Sequence, residues 1–442
     1  MKFFKKTKSL KSACLLMLML LILPLQMLAA ELGEAGKRIA ALPGVSKVEP
    51  LQSTCFPEKY VFFIKQQLDA KNPQAGQFEQ RVVLCHRGFD RPTVLVTEGY
   101  DANYALHEGY IEELSKLFNT NIITVEYRYF DQSMPSPCNW DYLTVENSLY
   151  DLHHVNEALH ALYKGKWMAT GISKGGQTTM FYRSYFPNDV DISVPYVAPL
   201  NRSVEDGRHE KFLQYEVSTP ENRRKVLDFQ LLLFKRKAAL LPMLEKYCNG
   251  KHYTFNAPLA EIYDFSVFEY AFAFWQWGSD IQKIPTREAD DLAVFKYWMS
   301  HCEPDYFSNQ NPYFSFDVQA AKELGYYGYY TKPFKRYLSI KTAKGYLHRL
   351  MLPKDAEEVN FSPVLYKHTV DFLSKNDPKM VYIYGSIDPW SASGIYGLPF
   401  TKNKQNLHVY MCPGGSHLTR ILSFPEPTRQ EIIDLIGRWL KE

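Results

Sequence analysis

The sequence predicts a fold of the α/β class, in which a mostly parallel sheet with helices on both faces is interrupted by a large helical cap. Three observations lead to this prediction. Short apolar runs alternate with helix-like stretches in the first part of the chain, the alternation stops at about residue 203, and it resumes near residue 380. The 442 residues, 46% of them hydrophobic, are enough for one large domain or two modest ones.

The first predicted elements are two strands joined as a hairpin. Residues 59–67 and 78–86 are rich in β-branched and aromatic side chains, and the turn-forming loop 69–76 lies between them. Two compact β-branched runs of the kind found in buried parallel strands come next, with a helix predicted between them. These runs are 92–97 and 121–126, and the helix is 111–118.

A long amphipathic helix is predicted after these strands. Between Leu143 and Tyr163 the apolar side chains recur with the 3.6-residue period of a helix. Thr144 is suited to be its N-cap, and Glu146 adds a negative charge to its first turn. A further buried strand is predicted at 191–197.

Between that helix and that strand, the motif Gly171-Ile172-Ser173-Lys174-Gly175 ends a short apolar strand that begins at Lys166. A helix-like stretch follows at once, at 177–185. This is the layout of a nucleophile elbow, where glycines permit a turn too sharp for side chains and the serine hydroxyl is lifted clear of the sheet. Ser173 is therefore a candidate nucleophile. The alternative is a solvated serine in a glycine-rich turn.

The middle of the chain is predicted to be a helical cap. Long helical stretches lie at 223–247, 259–277 and 289–301, and aromatic side chains are interleaved with charged ones there. A cap at this point would overhang the carboxyl ends of the strands, where α/β sheets bind ligands. The aromatic cluster Phe272, Phe274, Trp275 and Trp277 then belongs either to the core of the cap or to a pocket wall.

Strand–helix alternation returns with predicted strands at 380–385 and 406–411 and a closing helix at 428–441. We therefore expect the core to be split in two by the cap. The expected divisions are a signal peptide at 1–30, the first part of the core at 45–202, the cap at 203–377 and the second part of the core at 378–442.

The first thirty residues have the pattern of a secretory signal peptide. Five lysines form a basic head, an almost wholly apolar run extends from Ala13 to Leu28, and the small residues Ala29 and Ala30 precede a polar segment. We expect cleavage after Ala30 and export to the periplasm, cell surface or exterior, with no membrane span left. An uncleaved anchor is the alternative, although the apolar run is short for a span.

Removing the five lysines changes the net charge from +3 to −2, so no nucleic-acid surface is implied.

Six cysteines remain after Ala30, and an even count in an exported chain favours disulfides. We expect Cys55 to pair with Cys85, and Cys248 with Cys302. No Cys-x-x-Cys or His-Glu-x-x-His spacing occurs, so we expect no metal and no cofactor. The oligomeric state is left open.

Serine is a poor nucleophile at neutral pH and needs a base that is itself oriented by a carboxylate. In an α/β-hydrolase these partners follow the serine in the order acid, then histidine, each just after a late strand. Asp388 follows the strand at 380–385, and His417 follows the strand at 406–411. The sequence therefore predicts an α/β-hydrolase core with the triad Ser173, Asp388 and His417. Read singly, Asp388 could be a turn former before proline and His417 a loop histidine.

Acyl transfer also needs donors for the oxyanion of the tetrahedral intermediate. The N–H of Lys174, directly after the nucleophile, is the first expected donor. The second should come from the loop after the strand 92–97, as the N–H of Gly99 or of Tyr100.

Three motifs of this chain resemble those of the secreted bacterial tripeptidyl aminopeptidases, serine peptidases of α/β-hydrolase fold. They are Glu-Tyr-Arg-Tyr-Phe-Asp at 126–131, Leu-Thr-Val-Glu-Asn at 143–147 and Gly-Ile-Ser-Lys-Gly-Gly at 171–176. The chain is more distantly similar to prolyl carboxypeptidases and dipeptidyl peptidase II. The resemblance covers roughly residues 50–200 and 378–420 and does not extend to the cap, which leaves substrate preference open.

The resemblance implies that short peptides, of about three residues, are cleaved from free N-termini of peptide substrates. Such an enzyme must hold a protonated α-amine, and a buried carboxylate suits this role. Glu98, Glu126 and Asp131 lie near strand ends and are candidates. Each could instead be a structural acid that pairs with Arg128 or caps a helix.

Two other functions remain compatible with the sequence. A carboxylic-ester hydrolase or lipase would use the same triad, and nothing in the core excludes it. A non-catalytic binding protein of the same fold is the other alternative, although such proteins usually lack a member of the triad and all three candidates are present here.

Overall fold

A computed structural model of the chain describes residues 31–356 and 359–442. The predicted signal peptide at 1–30 lies outside the described residues. Among those described, nine strands form one sheet. The strands are β1 Val45–Pro50, β2 Glu58–Gln67, β3 Gln77–His86, β4 Thr93–Val96, β5 Asn121–Val125, β6 Trp167–Ile172, β7 Ile192–Tyr196, β8 Met380–Gly385 and β9 Leu407–Cys412.

The α-helices of the described residues are α1 Glu34–Ala40, α2 Glu113–Phe118, α3 Val145–His160, α4 Lys174–Tyr185, α5 Arg208–Lys211, α6 Pro220–Lys235, α7 Lys237–Lys251, α8 Leu259–Gln276, α9 Asp291–Met299, α10 Phe314–Gln319, α11 Val364–Lys375 and α12 Thr428–Trp439. Helices were predicted at or near α2, α3, α4, α8, α9 and α12, whereas α1, α5, α10, α11 and strand β1 were not predicted. The Thr144 hydroxyl accepts the N–H of Asn147, so the predicted N-cap of α3 is confirmed.

The single helix predicted over 223–247 is wrong, because α6 and α7 are separated at Arg236. The Arg236 guanidinium donates to the carbonyls of Arg287 and Ala289 and to Asp291, so the residue at the interruption is fixed by a distant loop. Apolar periodicity runs through both helices and carries no signal for an interruption of this kind.

The sheet order is β1-β2-β3-β5-β4-β6-β7-β8-β9, antiparallel from β1 to β5 and parallel from β5 to β9. Both faces are covered. Val94 and Val96 of β4 pack in one apolar cluster with α2 and α12, whereas Leu95 packs in another with α3 and α4. The predicted α/β class and the buried parallel strands are confirmed.

A parallel sheet brings the carboxyl ends of its strands to one edge. In this chain that edge carries the loops after β4, β6, β8 and β9, and therefore the predicted oxyanion loop, Ser173, Asp388 and His417. Segments far apart in the sequence thus meet at one place.

The described residues between β7 and β8 contribute no strand to the sheet, and their only bridge joins Phe255 to Ser308. They pack as helices around buried aromatic side chains, including Phe272, Phe274 and Trp275. Trp277 is the exception, because about half of it is exposed and its ring lies 6.1 Å from that of His417. Most of the predicted aromatic cluster is therefore buried in the cap.

The Arg128 guanidinium joins the hairpin, helix α3 and the loop before it. It is buried and forms a two-pronged ion pair with Asp151, at 2.7 Å on both sides. Its remaining donors reach the carbonyls of Gln67, Leu68 and Tyr142. Every N–H of the fork is used, which is how a buried guanidinium offsets its desolvation cost.

The two predicted disulfides are not present, because all six described cysteines are free. The Cys302 thiol points to the carbonyl of Ser266 at 3.1 Å, and that of Cys55 points to the carbonyl of Gly109 at 3.6 Å. The sequence expectation rested on an even count and on proximity along predicted elements, neither of which fixes the direction of a thiol. No helix of the described ranges is long and apolar enough to cross a membrane.

Candidate active site

Ser173 lies at the turn between β6 and α4 with φ +58° and ψ −119°. Positive φ is unfavourable for a residue with a side chain, and neighbouring contacts must hold it. The Ser173 N–H donates to Tyr196 O at 3.0 Å, and Ser173 O accepts from Gln177 N at 2.9 Å. The turn therefore anchors the serine to β7 on one side and to its own helix on the other.

Glycines make this turn possible because the backbone passes too close for side chains. A Cβ on Gly171 would lie 2.3 Å from Gly175 O, and one on Gly176 would lie 2.6 Å from Tyr196 O. The predicted elbow is therefore observed, together with the close approach that explains why glycine occupies these positions.

Asp388 and His417 form a hydrogen-bonded pair at the ends of β8 and β9. His417 Nδ1 and Asp388 Oδ2 are 3.0 Å apart, and both side chains are buried. Asp388 is itself held by the Trp390 N–H at 3.1 Å and the Ser391 hydroxyl at 2.8 Å. Because Nδ1 is engaged by the carboxylate, Nε2 is the nitrogen left to exchange a proton.

Ser173 and His417 line the same cavity, whose volume is about 1220 Å³. Within the described chain no hydrogen bond joins them, and the Ser173 hydroxyl lies beside the phenol of Tyr100. A serine side chain can adopt three staggered rotamers, and hydrogen bonds between catalytic groups often shorten only when substrate binds. The absence of a hydrogen bond between Ser173 and His417 is therefore compatible with a catalytic pair. The cap also reaches this pair, since the His417 N–H donates to Gln276 O at the end of α8.

The loop after β4 packs directly on the start of α4. A Cβ on Gly99 would lie 2.7 Å from Lys174 Cβ and 2.8 Å from Gly175 N. The first N–H groups of a helix have no partner within the helix, so the N–H of Lys174 is available there. Gly99 N–H donates to Glu98 Oε2 at 3.2 Å, whereas Tyr100 N–H has no acceptor among the described residues. Of the two alternatives for a second donor, Tyr100 is thus the unengaged one.

The Lys174 side chain is buried beneath this loop. Its ammonium donates to Gly99 O at 2.5 Å and lies 3.3 Å from the ring centre of Tyr127. Phe130 and Tyr100 are the next rings, at 5.1 Å and 5.6 Å. Burial lowers the pKa of Lys174 well below its usual value, and the nearby Glu98 partly opposes this effect.

The three acidic candidates for binding an amine are separated by the fold. Only Glu98 lines the cavity, where it accepts a hydrogen bond from the Tyr104 hydroxyl, and burial raises its pKa to about 7. Glu126 and Asp131 lie outside the cavity lining, and both pair with Arg81. The expected alternative pairing with Arg128 is wrong, because Arg128 is fully occupied by Asp151 and backbone carbonyls.

Of the seven acidic residues that line the cavity, the sequence analysis named only Glu98, and Glu269 is the one of the other six that lies on a long helix of the cap. Glu269 of α8 lines the cavity and accepts hydrogen bonds from the hydroxyls of Tyr327 and Tyr329. Its helix was predicted, but no motif marks which face of a cap helix points to the core. No group of three or more His, Cys, Asp or Glu residues in the described ranges could hold a metal ion.

Comparison with known proteins gives a family match over most of the chain. The family model described as PS-10 peptidase S37 matches residues 31–429. The chain is 29% identical over 421 residues to the prolyl tri/tetrapeptidyl aminopeptidase of Streptomyces mobaraensis, which covers 91% of this chain and 84% of that protein. A probable serine protease of Arabidopsis thaliana is 27% identical over 145 residues, or 28% of this chain and 30% of that protein. Among solved structures, proline iminopeptidase of Mycobacterium smegmatis aligns with a TM-score of 0.41 and 12% identity, over 89% of this chain and 99% of that one.

Gly99→Ala tests the contact between the loop and the elbow. The new methyl group cannot be accommodated without moving the loop away from Lys174 and Gly175, so we expect labelling of Ser173 by a fluorophosphonate probe to slow by about 100-fold. Gly109→Ala is the matched control, because a Cβ there meets nothing within 4 Å. Equal labelling rates for the two variants would contradict the proposed contact.

Proposed function

Because this chain belongs to the PS-10 peptidase S37 family, it is a serine hydrolase, and we propose that it releases short peptides from free N-termini. The single observation that carries this proposal is the placement of the sharp serine turn and the Asp388–His417 pair in one cavity beneath the cap. The name of the Streptomyces relative supports tri- or tetrapeptides as products. The basic and apolar pattern of residues 1–30 supports export.

In the proposed reaction Ser173 attacks the carbonyl carbon of the scissile peptide bond while His417 Nε2 takes the hydroxyl proton. Asp388 holds the imidazole and stabilises its positive charge. The tetrahedral intermediate collapses as His417 returns the proton to the leaving amine, which leaves an acyl group on Ser173. Water then repeats the sequence, with His417 as base and then acid, and frees the peptide acid and the serine.

The proposed oxyanion donors are the N–H groups of Lys174 and Tyr100. Gly99 C=O and Tyr100 N–H belong to one trans peptide unit and therefore point in opposite directions. The Lys174 ammonium, by binding Gly99 O, fixes the direction in which Tyr100 N–H points. Lys174 is thus a positioning residue: its backbone supplies one donor, and its side chain orients the other.

An ester hydrolase built on the same triad is the second candidate, and substrate tests separate the two. The cavity favours the peptidase, because several carboxylates line it and an exopeptidase must bind a cationic amine. A non-catalytic role is disfavoured by the intact hydrogen bond between His417 and Asp388.

Replacement of the nucleophile is the direct test of the site. We expect Ser173→Ala to lower kcat by at least about 10⁴-fold with little change in KM or in the unfolding temperature, since the interaction lost is made only in the transition state. Fluorophosphonate labelling should disappear in the same variant. Turnover near that of the unaltered enzyme would remove Ser173 from the mechanism.

The substrate class is tested with matched amides and esters. We expect the kcat/KM of Ala-Ala-Pro p-nitroanilide to exceed that of its N-acetylated form and that of a simple acyl p-nitrophenyl ester of similar size. A buried site that binds an ammonium group discriminates strongly against a substrate that lacks it, because the buried group of the site is then left unpaired. Hydrolysis confined to esters would replace the peptidase proposal with the esterase one.

Lys174→Met tests the positioning role, because methionine keeps most of the apolar stem and removes the ammonium. We expect kcat to fall by about 100-fold with KM nearly unchanged, which is the loss typical of one oxyanion donor. The unfolding temperature should change little, because the desolvation cost that the ammonium group no longer incurs offsets the loss of its hydrogen bond to Gly99 O. Lys322→Met is the control: that lysine is half-buried, whereas Lys174 is fully buried, and it likewise donates to backbone carbonyls, those of Trp140 and Leu143, away from the cavity. A kcat within twofold of the unaltered enzyme would show that the ammonium does not orient the donor.

A further inference from the structure

The cavity wall formed by the cap contains a carboxylate that no cation neutralises. Glu269 accepts hydrogen bonds from the Tyr327 hydroxyl at 3.0 and 2.9 Å and from the Tyr329 hydroxyl at 2.6 Å. Within the described ranges no lysine, arginine or histidine forms an ion pair with it, and its hydrogen-bond donors there are these two phenols. Burial raises the pKa of Glu269 to about 7.

The surroundings of Glu269 are aromatic. The ring of Tyr327 stacks on Phe272 at 3.9 Å and on Tyr326 at 4.3 Å, and Trp390 lies 5.3 Å from it. In such a medium a carboxylate with neutral donors alone is poorly stabilised, and a cation that enters gains a strong charge–charge interaction. The ring faces add a weaker attraction for the same cation.

Five of the six other acids in the cavity wall lie close enough to a cation to interact with its charge, which Glu269 does not: Glu98 with Lys174, Glu112 and Glu113 with Arg420, and Glu303 and Asp305 with Lys251. Glu98 precedes Gly99, which packs on Lys174, and its two oxygens accept hydrogen bonds from the Tyr104 hydroxyl and Gly99 N–H. The remaining pairings are Glu112 with the N–H groups of Leu114 and Ser115, Glu113 with Tyr196 and the N–H groups of Ile421 and Leu422, Glu303 with Tyr253 and Lys251, Asp101 with Asn103 N–H, and Asp305 with the charge of Lys251.

We propose that Glu269 binds the α-ammonium group of the peptide substrate, held in place by the hydroxyls of Tyr327 and Tyr329. The peptide would then lie across the cavity with its free N-terminus at the cap and its scissile carbonyl at Ser173. The span between these two points would set how many residues are released. This inference rests on the proposed exopeptidase function and adds the group that recognises the substrate.

The test compares free and N-acetylated Ala-Ala-Pro p-nitroanilide on Glu269→Gln. Glutamine keeps the shape and can still accept from the tyrosines, but it carries no charge. We expect kcat/KM for the free-amine substrate to fall between about 10-fold and 100-fold, mainly through KM. The rate for the acetylated substrate should be unchanged, so the preference for a free amine should collapse.

Glu303→Gln is the matched control, since it makes the same change on the same cavity wall at an acid already paired with Lys251. It should keep the preference for a free amine. Labelling by a fluorophosphonate probe shows whether each variant retains a folded active site. Should Glu269→Gln fail to fold, Tyr329→Phe removes a hydrogen bond that stabilises the charged form of Glu269, so the pKa of Glu269 should rise further and less of it should be ionised at neutral pH. This variant is therefore expected to raise KM for the free-amine substrate alone.

The outcomes separate this inference from the proposed function. If the unaltered enzyme hydrolyses free and acetylated substrates equally well, the exopeptidase proposal fails and this inference fails with it. If the unaltered enzyme prefers the free amine and Glu269→Gln keeps that preference, only the role of Glu269 is overturned. A lost preference in Glu269→Gln and a retained one in Glu303→Gln support the inference.

Discussion

The rest of the site depends on the close approach of backbone around Ser173. The turn at positive φ persists because β7, α4 and the loop after β4 all touch it, and glycine occupies each place where a side chain would intervene. The same contact brings the start of α4 against the Gly99–Tyr100 peptide. The same packing contacts therefore produce both the backbone strain at Ser173 and the geometry of the neighbouring N–H groups.

The buried charged groups around this turn differ in how fully their partners neutralise them. Arg128 uses its whole fork on Asp151 and three carbonyls and holds the hairpin to α3. Lys174 has one carbonyl and an aromatic ring, and Glu269 has two phenols and no cation. Arg128 has a partner for every donor and serves the structure. Lys174, beside the nucleophile, and Glu269, in the cavity wall, each lack an oppositely charged partner in direct contact. Incomplete neutralisation of a buried charge is costly, and such costs are typical of functional sites.

The cap contacts the catalytic loops of the core at a few specific residues. Gln276 at the end of α8 accepts the N–H of His417, and Trp277 lies edge-on to the imidazole. The same helix carries Glu269, so one element of the cap both supports the histidine loop and contributes to the cavity wall. The position of α8 therefore couples the proposed recognition of the substrate amine to the catalytic end of the cavity.

Most predictions that rest on local patterns agree with the structure, with the helix over 223–247 as the exception, whereas several that depend on where a side chain points do not. Compact β-branched runs located the parallel strands, apolar periodicity located α3, and the residue types of Thr144 and of the glycine-rich motif identified the cap and the turn, because all of these depend on neighbours along the chain. The expected cysteine pairs, the unbroken helix over 223–247 and the placement of Glu126 and Asp131 in the site were wrong. Which carboxylate lacks a cation, and which N–H lacks an acceptor, follows from contacts between distant segments, and only the folded chain brings Glu269, Tyr100 and Lys174 to the same cavity.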